Sequence, residues 1–271
     1  MRGTRLTDVE IAGQRVLLTG ATGGLGAAIA RRLAAEGGDL ILTGRRVGVL
    51  EPLADELGAR VLVCDLSDPA AVGRLAVAAR EVDILVANAG IPGTGRLSTY
   101  AIDQVDRALD VNLRAPIVLA HALTPGMVAR GRGHVVFMSS ISGKTATPGS
   151  SLYNATKFGL RGFSLALRAE LRPAGIGVST IFPGFIREAG MYADTAIKLP
   201  AGVGTRTPEQ VAAAVVRAIR RDKAEIDVAP VLLRVGGILG GVAPELVDRM
   251  SRIGGTEEVA LEFERAQMDK R

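Results

Sequence analysis

Apolar residues in this chain fall into two alternating patterns. Short uninterrupted runs, "RVLLTG", "DLILTG", "RVLVCD", "DILVANAG", "HVVFMSS" and "GVSTIFPG", are each bounded by Gly, Asp, Ser or Pro and read as strands. Between them lie stretches such as "LGAAIARRLAAEG" and "RLAVAAREV", where apolar residues recur at i, i+3 and i+4, the spacing of one helix face. This alternation predicts a βαβ series. The strand runs are apolar at every position rather than every second one, so they require cover on both faces, and the sheet should be parallel with helices on either side. A seventh run, "AEIDVAP", follows the helical stretch "TPEQVAAAVVRAIRRD", whose Thr207 and Glu209 suit a helix start. No linker or low-complexity run divides the chain before about Val235. The reading is a single α/β domain over 1–234 and a C-terminal tail over 235–271 with helical character and a packing or interface role.

One junction interrupts the pattern. In "VLLTGATGGLGAAIARRL", Val16 to Leu33, four glycines and two threonines stand where an apolar strand turns into an apolar helix. A strand, then Gly20, Gly24 and Gly26, then a helix beginning near Leu25, forms a turn in which absent side chains let backbone N–H groups approach a pyrophosphate at the positive end of the helix. Such a turn alone also fits an ordinary tight strand-to-helix connection. Its place after the first strand of a βαβ series favours the phosphate cradle.

Composition narrows the function classes. Of 271 residues, 48% are hydrophobic, enough for a substantial core, and the net charge is +5. The sequence pI is near 9.8, but the basic residues are scattered and lack interleaved aromatics, so no nucleic-acid partner is expected. The single cysteine, Cys64, cannot form an internal disulfide and lies in a strand-like run, which fits a buried core residue and a reducing, cytoplasmic compartment. The uncharged stretch Val16–Ala30 resembles a signal peptide core, but its glycines and its place in the repeating pattern argue otherwise. A second apolar segment, Ala229 to Val247, is broken by Arg234, two prolines and four glycines, so no transmembrane helix is expected, although it could touch a membrane surface. His121 and His134 have no partners at metal-ligand spacing, which points to packing or surface roles and no metal site.

Tyr153 and Lys157 are four residues apart and share one face of a predicted helix. An ammonium beside a phenol favours the phenolate, so this pair is expected to lower the tyrosine pKa toward the range a general acid/base needs. Ser140 ends an apolar strand 13 residues earlier, where a serine commonly caps the strand end. Asn112 interrupts the helical stretch "IDQVDRALDVNLRAPIVLAHALTPGMV", and Pro116 is compatible with a local break there.

Taken together, these motifs resemble the short-chain dehydrogenase/reductase family over about Gln14 to Pro230. "TGATGGLG" matches its glycine signature; Asn88-Ala89-Gly90 its N-A-G motif; Asn112, Ser140 and "YNATK" with Tyr153 and Lys157 its catalytic positions; and Pro183-Gly184 its P-G after the sixth strand. The resemblance implies a Rossmann-like, doubly wound parallel sheet of about seven strands. It also implies an oxidoreductase interconverting a carbonyl compound and a secondary alcohol. Tyr153 would donate the proton, Lys157 would tune it and bind the nicotinamide ribose, Ser140 rather than Ser139 would orient the carbonyl, and Asn112 would hold a water in a proton relay. The alternative is a regulatory protein that binds NADP without turnover, but relatives of that kind typically lose the tyrosine or lysine. Cofactor contacts are expected from Gly20, Thr22, Gly23, Gly24, Leu25, Gly26, Arg45, Arg46, Asp65, Leu66, Asn88, Ala89, Gly90, Tyr153, Lys157, Pro183, Gly184 and Ile186. NADP is expected over NAD because "LILTGRR" carries Gly44 and then Arg45 and Arg46 where NAD enzymes place a carboxylate. Glu188 stands where many members have a threonine that contacts the cofactor amide. The substrate pocket is expected from Ile91, Pro92, Ile141, Ala146, Pro148, Phe185, Ile186, Met191 and Tyr192, an apolar set that suits a lipophilic carbonyl or alcohol. The helix "YNATKFGLRGFSLALRAEL" is apolar beyond its catalytic face, which with the family habit of pairing this helix implies a homodimer or homotetramer.

Overall fold

In the computed structural model, which describes residues 10–193, 199, 203–243, 245 and 266, all seven predicted strand runs enter one sheet. The elements are β1 Arg15–Thr19, α1 Gly24–Ala35, β2 Asp39–Gly44, α2 Val47–Leu57, β3 Arg60–Val63, α3 Pro69–Ala78, β4 Ile84–Ala87 and α4 Ile102–Leu109. They continue with α5 Ala115–Arg130, β5 His134–Met138, α6 Ser151–Leu171, β6 Gly177–Pro183, α7 Pro208–Arg220, β7 Glu225–Val228 and α8 Val231–Val242. The strands are parallel in the order β3-β2-β1-β4-β5-β6-β7, with Leu17 of β1 paired to Ile41 on one side and Leu85 on the other. The chain therefore doubles back between β3 and β4. At that switch point the carboxyl ends of β1 and β4 diverge and leave a crevice, the usual ligand site of open α/β sheets.

Alternation along each strand builds two cores, one on each face of the sheet. Val16, Leu18, Leu42, Val86, Val136 and Ile181 face α1, α2 and α7, whereas Leu17, Ile41, Leu85, Val135, Phe137 and Val178 face α3, α5 and α6. Burial on both faces, as expected, holds for β1, β4, β5 and β6. It fails for β3, whose Val63 is 57% exposed, because a strand at the sheet edge has a neighbour on one side only.

Local chemistry fixes the helix ends. Thr207 caps α7, and its reciprocal partner is Gln210, with Glu209 one position earlier in the first turn. Asp68 caps α3 by accepting from the Ala70 N–H. By contrast α1 begins after Gly23 with no side-chain cap and no acidic residue in its first turn, leaving its N–H groups for another acceptor. The long helical stretch around Asn112 is broken, as its composition suggested: Asp110–Arg114 forms a π turn between α4 and α5. α8 runs through the 234/235 position, and most of the tail beyond it lies outside the described residues.

Candidate active site

A cleft of about 940 Å³ opens along the carboxyl ends of the strands. At one end is the glycine turn between β1 and α1. Gly20 has φ +69°, and a side chain there would run into the Ala89 backbone at 2.7 Å; a side chain on Gly26 would meet the Gly20 carbonyl at 2.1 Å. Both positions therefore exclude any other residue. A side chain on Gly23 would instead meet only the Gly20 carbonyl, at an ordinary 3.6 Å, so the turn presents bare backbone to the cleft beside the uncapped start of α1. Asn88 locks the turn to β4, its Nδ2 donating to the Thr19 carbonyl at 3.0 Å while the Asn88 and Ala89 N–H groups donate to Thr19 Oγ1 at 3.0 Å.

Every residue expected to touch a cofactor, including Thr22, Gly24, Leu25, Leu66, Gly90, Pro183, Gly184 and Ile186, lines this one cleft. Arg45 lies 3.6 Å from Asp65 across it, and the Arg46 guanidinium donates to the Thr22 carbonyl at 2.6 Å. Burial pushes the Asp65 carboxyl up, but hydrogen bonds from Ser67 and the charge of Arg45 outweigh it and hold it below its ordinary value. Glu188 does not contribute. Its backbone is left-handed at φ +70°, its carboxylate pairs with Arg187 at 3.0 Å, and its side chain lines a groove between α1 and α7 outside the cleft.

At the other end α6 presents Tyr153 and Lys157, and the turn after β5 presents Ser140. The Lys157 ammonium sits 5.5 Å from the Tyr153 ring centre and donates to the Met138 carbonyl at 2.9 Å. Tyr153 does not have the lowered pKa expected from its neighbour. Burial pushes it up to about 12, a hydrogen bond with Ser140 drawing it down in part, and burial brings Lys157 down to about 8. Desolvation outweighs attraction here, and the ammonium is engaged by Met138. Ser139 also lines the cleft, but its hydroxyl is engaged by the backbone of α6, donating to the Lys157 carbonyl at 3.0 Å. Asn112 is buried behind the cleft wall, its amide bonded in both directions to Ile91 at 2.8 and 2.9 Å. A side chain on Gly90 would lie 3.3 Å from Asn112 Oδ1 and 3.6 Å from Lys157 Nζ, so both polar groups border the Gly90 position.

The apolar part of the cleft includes Ile91, Pro92, Ile141, Pro148, Phe185, Met191 and Tyr192 as expected, with Phe185 and Tyr192 ring centres 5.3 Å apart. Ala146 is an exception: it is exposed and lies outside the lining. Leu199 and Val203 join the lining from within the stretch Phe185 to about Arg206 that was expected to supply it, whereas Leu233 of α8 comes from outside the expected segments. Asn154 was also missed by sequence reasoning: its Nδ2 donates to the Ser142 and Thr145 carbonyls at 2.6 and 2.9 Å, fastening the Ser140 turn to α6. His134 is fully buried against Ser179 at 2.8 Å and His121 is exposed on α5. Among the described residues no cluster of metal-ligating side chains forms.

Residues 14–198 match the profile of the short chain dehydrogenase family. A ketoacyl reductase, HetN, of Nostoc sp. is 32% identical over 256 residues, covering 89% of each chain. Dehydrogenase/reductase SDR family member 7B of Bos taurus is 35% identical, with 87% of this chain and 79% of the relative aligned. Among solved structures, a short-chain dehydrogenase from Sphingobium yanoikuyae in complex with NADPH superimposes with a TM-score of 0.74 at 30% identity, over 87% of this chain and 96% of the other. The glycine turn, the crevice at the switch point and these matches lead to one assignment: the chain belongs to the short-chain dehydrogenase/reductase family, NAD(P)-binding oxidoreductases acting on CH–OH groups.

Proposed function

We propose that this enzyme interconverts a lipophilic carbonyl compound and its secondary alcohol with NADP(H), with Tyr153 as the general acid/base. The observation that carries the reading is that Ser140, Tyr153 and Lys157 line together the apolar end of a cleft whose other end is a bare-backbone glycine turn. The residues fit such a cofactor. Gly23 and the uncapped start of α1 would take the pyrophosphate, Arg45 and Arg46 a ribose 2′-phosphate, and Asp65 and Leu66 the adenine end, with Asn88 to Gly90, Pro183, Gly184 and Ile186 along the remainder. When bound, the cofactor supplies or accepts the hydride. Ser140 donates a hydrogen bond to the substrate oxygen, and Tyr153, held as the neutral phenol by its raised pKa, gives that oxygen a proton as negative charge develops on it. Lys157, poised at about 8, supports the ribose and exchanges protons near neutrality, with Asn112 behind it for the relay to solvent.

Two features bear on setting. Phe158 and Leu165, seven residues apart on the outward side of α6, are 38% and 42% exposed, which supports a homodimer or homotetramer built on that helix. The buried, free Cys64, its thiol pushed up to about 11 by burial, suits the cytoplasm.

The reading is tested by following NADPH and NADH oxidation across a panel of ketones of graded lipophilicity. Turnover of apolar ketones with NADPH is expected. Tight NADPH binding with no oxidation of it across the panel would replace this reading with that of a non-catalytic NADP-binding protein.

A further inference from the structure

Five charged side chains converge behind the catalytic residues, and hydride transfer uses none of them. Lys144 stands four residues after Ser140, directly beyond the short Ile141–Gly143 turn, and is buried. Its ammonium donates to Asp227 Oδ1 at 2.6 Å, lies 3.1 Å from Glu225 Oε2 and sits 4.1 Å above the Phe182 ring. Arg161, one helical turn beyond Lys157 on α6, grips Glu225 with two hydrogen bonds at 2.7 and 3.2 Å. Arg234 of α8 reaches Asp227 at 4.0 Å, next to the cleft-lining Leu233. Glu225 and Asp227 are alternate residues of β7 and so project to the same face of the sheet. Burial pushes the Glu225 carboxyl up, yet hydrogen bonds from Arg161 and Lys144 prevail and keep it ionised.

Withdrawing a lysine from water costs several kcal/mol, and an apolar residue over Phe182 would fill the place without that cost. The network also has a consistent geometry. Its carboxylates tie together the turn that carries Ser140, the helix that carries Tyr153 and Lys157, and the helix that supplies Leu233. Asn154 fastens that turn to α6 from within the site; Lys144 fastens it to the sheet edge from behind.

We propose that Lys144, clamped by Glu225 and Asp227, is a positioning residue that holds the Ser140 turn in register with α6, so that the Ser140 and Tyr153 hydroxyls converge on one substrate oxygen. This rests on the catalytic reading of Ser140 and Tyr153. A misplacement of about 1 Å in such a pair costs on the order of 10²-fold in rate, so a loosened turn should show in kcat and not in cofactor affinity.

The test measures kcat, KM and the NADPH dissociation constant for Lys144→Met, Asp227→Asn and the double variant. Lys144→Met leaves two cations facing two carboxylates, a balanced set that should fold, and the isosteric Asp227→Asn interrupts the same contact from the other side. Each single variant is expected to lose about tenfold or more in kcat with NADPH affinity within about twofold, and the double variant to be no slower than the slower single one, as for two halves of one contact. Unchanged kcat in both singles would overturn the proposal. So would additive losses, or parallel losses of cofactor affinity and thermal stability, which would mark a merely structural cluster. Tyr153→Phe in the same assay separates the two levels. Full activity in that variant removes the catalytic reading, whereas full activity of Lys144→Met beside an inactive Tyr153→Phe removes only the clamp.

Discussion

Tyr153 and Lys157 occupy a place that penalises charge on either of them, which sets what each can do. With the phenol pushed up to about 12, Tyr153 is protonated throughout the neutral range and ready to act as an acid, while Lys157 at about 8 is the group that titrates near working pH. On the proposed mechanism, Tyr153→Phe would remove the proton donor and one of the two hydrogen bonds to the substrate oxygen but leave the ring in place. Turnover is expected to fall by about 10²-fold or more, with the NADPH dissociation constant within a few-fold; retention of more than about a tenth of the rate would refute the role. A second residue controls stability instead. His134 is fully buried, with Nε2 on Ser179 and Nδ1 without a partner, and burial lowers its pKa from 6.5 to about 4. The unfolded chain therefore binds a proton between about pH 6.5 and pH 4 that the folded chain refuses, so stability is full above that window and falls as pH drops through it. The whole shift corresponds to about 3 kcal/mol. Chemical denaturation at pH 7 and pH 5 should show the loss, and His134→Gln should flatten the profile; equal pH dependence in the two proteins would dismiss His134 as its source.

At the level of elements, the proposed preference for NADP rests on the junction of β2 and α2. Arg45 and Arg46 stand at the amino end of α2, whose first turn holds no acidic residue, so positive side chains face a positive helix end. The Arg45–Asp65 contact is half exposed and worth little, leaving Arg45 available to a phosphate. A charge-assisted hydrogen bond contributes about 1.5–3 kcal/mol, or roughly ten- to 150-fold in affinity. NADPH should therefore bind more tightly than NADH, and Gly44→Asp with Arg45→Ala should reverse the preference, the new side chain displacing Thr22, which would stand 2.9 Å from its Cβ. Equal dissociation constants for NADPH and NADH in the unmodified chain would end the assignment. The placement of Gly44, Arg45 and Arg46 at the cleft was legible in the sequence because it is local, and the same holds for the central strands, the glycine turn and the Tyr153–Lys157 spacing. What was not legible depends on partners far along the chain. The Asn112 tie to Ile91 spans 21 residues and the Lys144 contact with Asp227 spans 83. The exposure of β3 follows from its edge position in the strand order, and the raised Tyr153 pKa from burial by several elements at once; neither is written in any short segment.

On the scale of the whole molecule, two of the apolar surfaces exposed among the described residues make different predictions. One is the outer side of α6 with its neighbour α5, where Phe158 and Leu165 stand clear while Leu160 and Ser164 of the same helix are buried inward. The other is α8, where Val231, Leu232, Val235, Ile238, Leu239 and Val242 are exposed while Leu233 and Gly237 face the body of the protein. Only the α6 surface is continuous with the helix that carries Tyr153 and Lys157, so pairing it would stiffen the catalytic helix as well as remove apolar area from water. Light scattering at micromolar concentration should accordingly give two or four times the 28.2 kDa of the single chain. Leu165→Arg places a charge in the centre of the α6 surface, where unpaired burial is costly, and should shift the protein toward monomer with NADPH binding retained. Ile238→Ser on α8 should leave the mass unchanged. Dissociation by the α8 substitution and not by the α6 one would move the interface to α8, and a single 28.2 kDa species in the unmodified protein would remove the oligomer altogether.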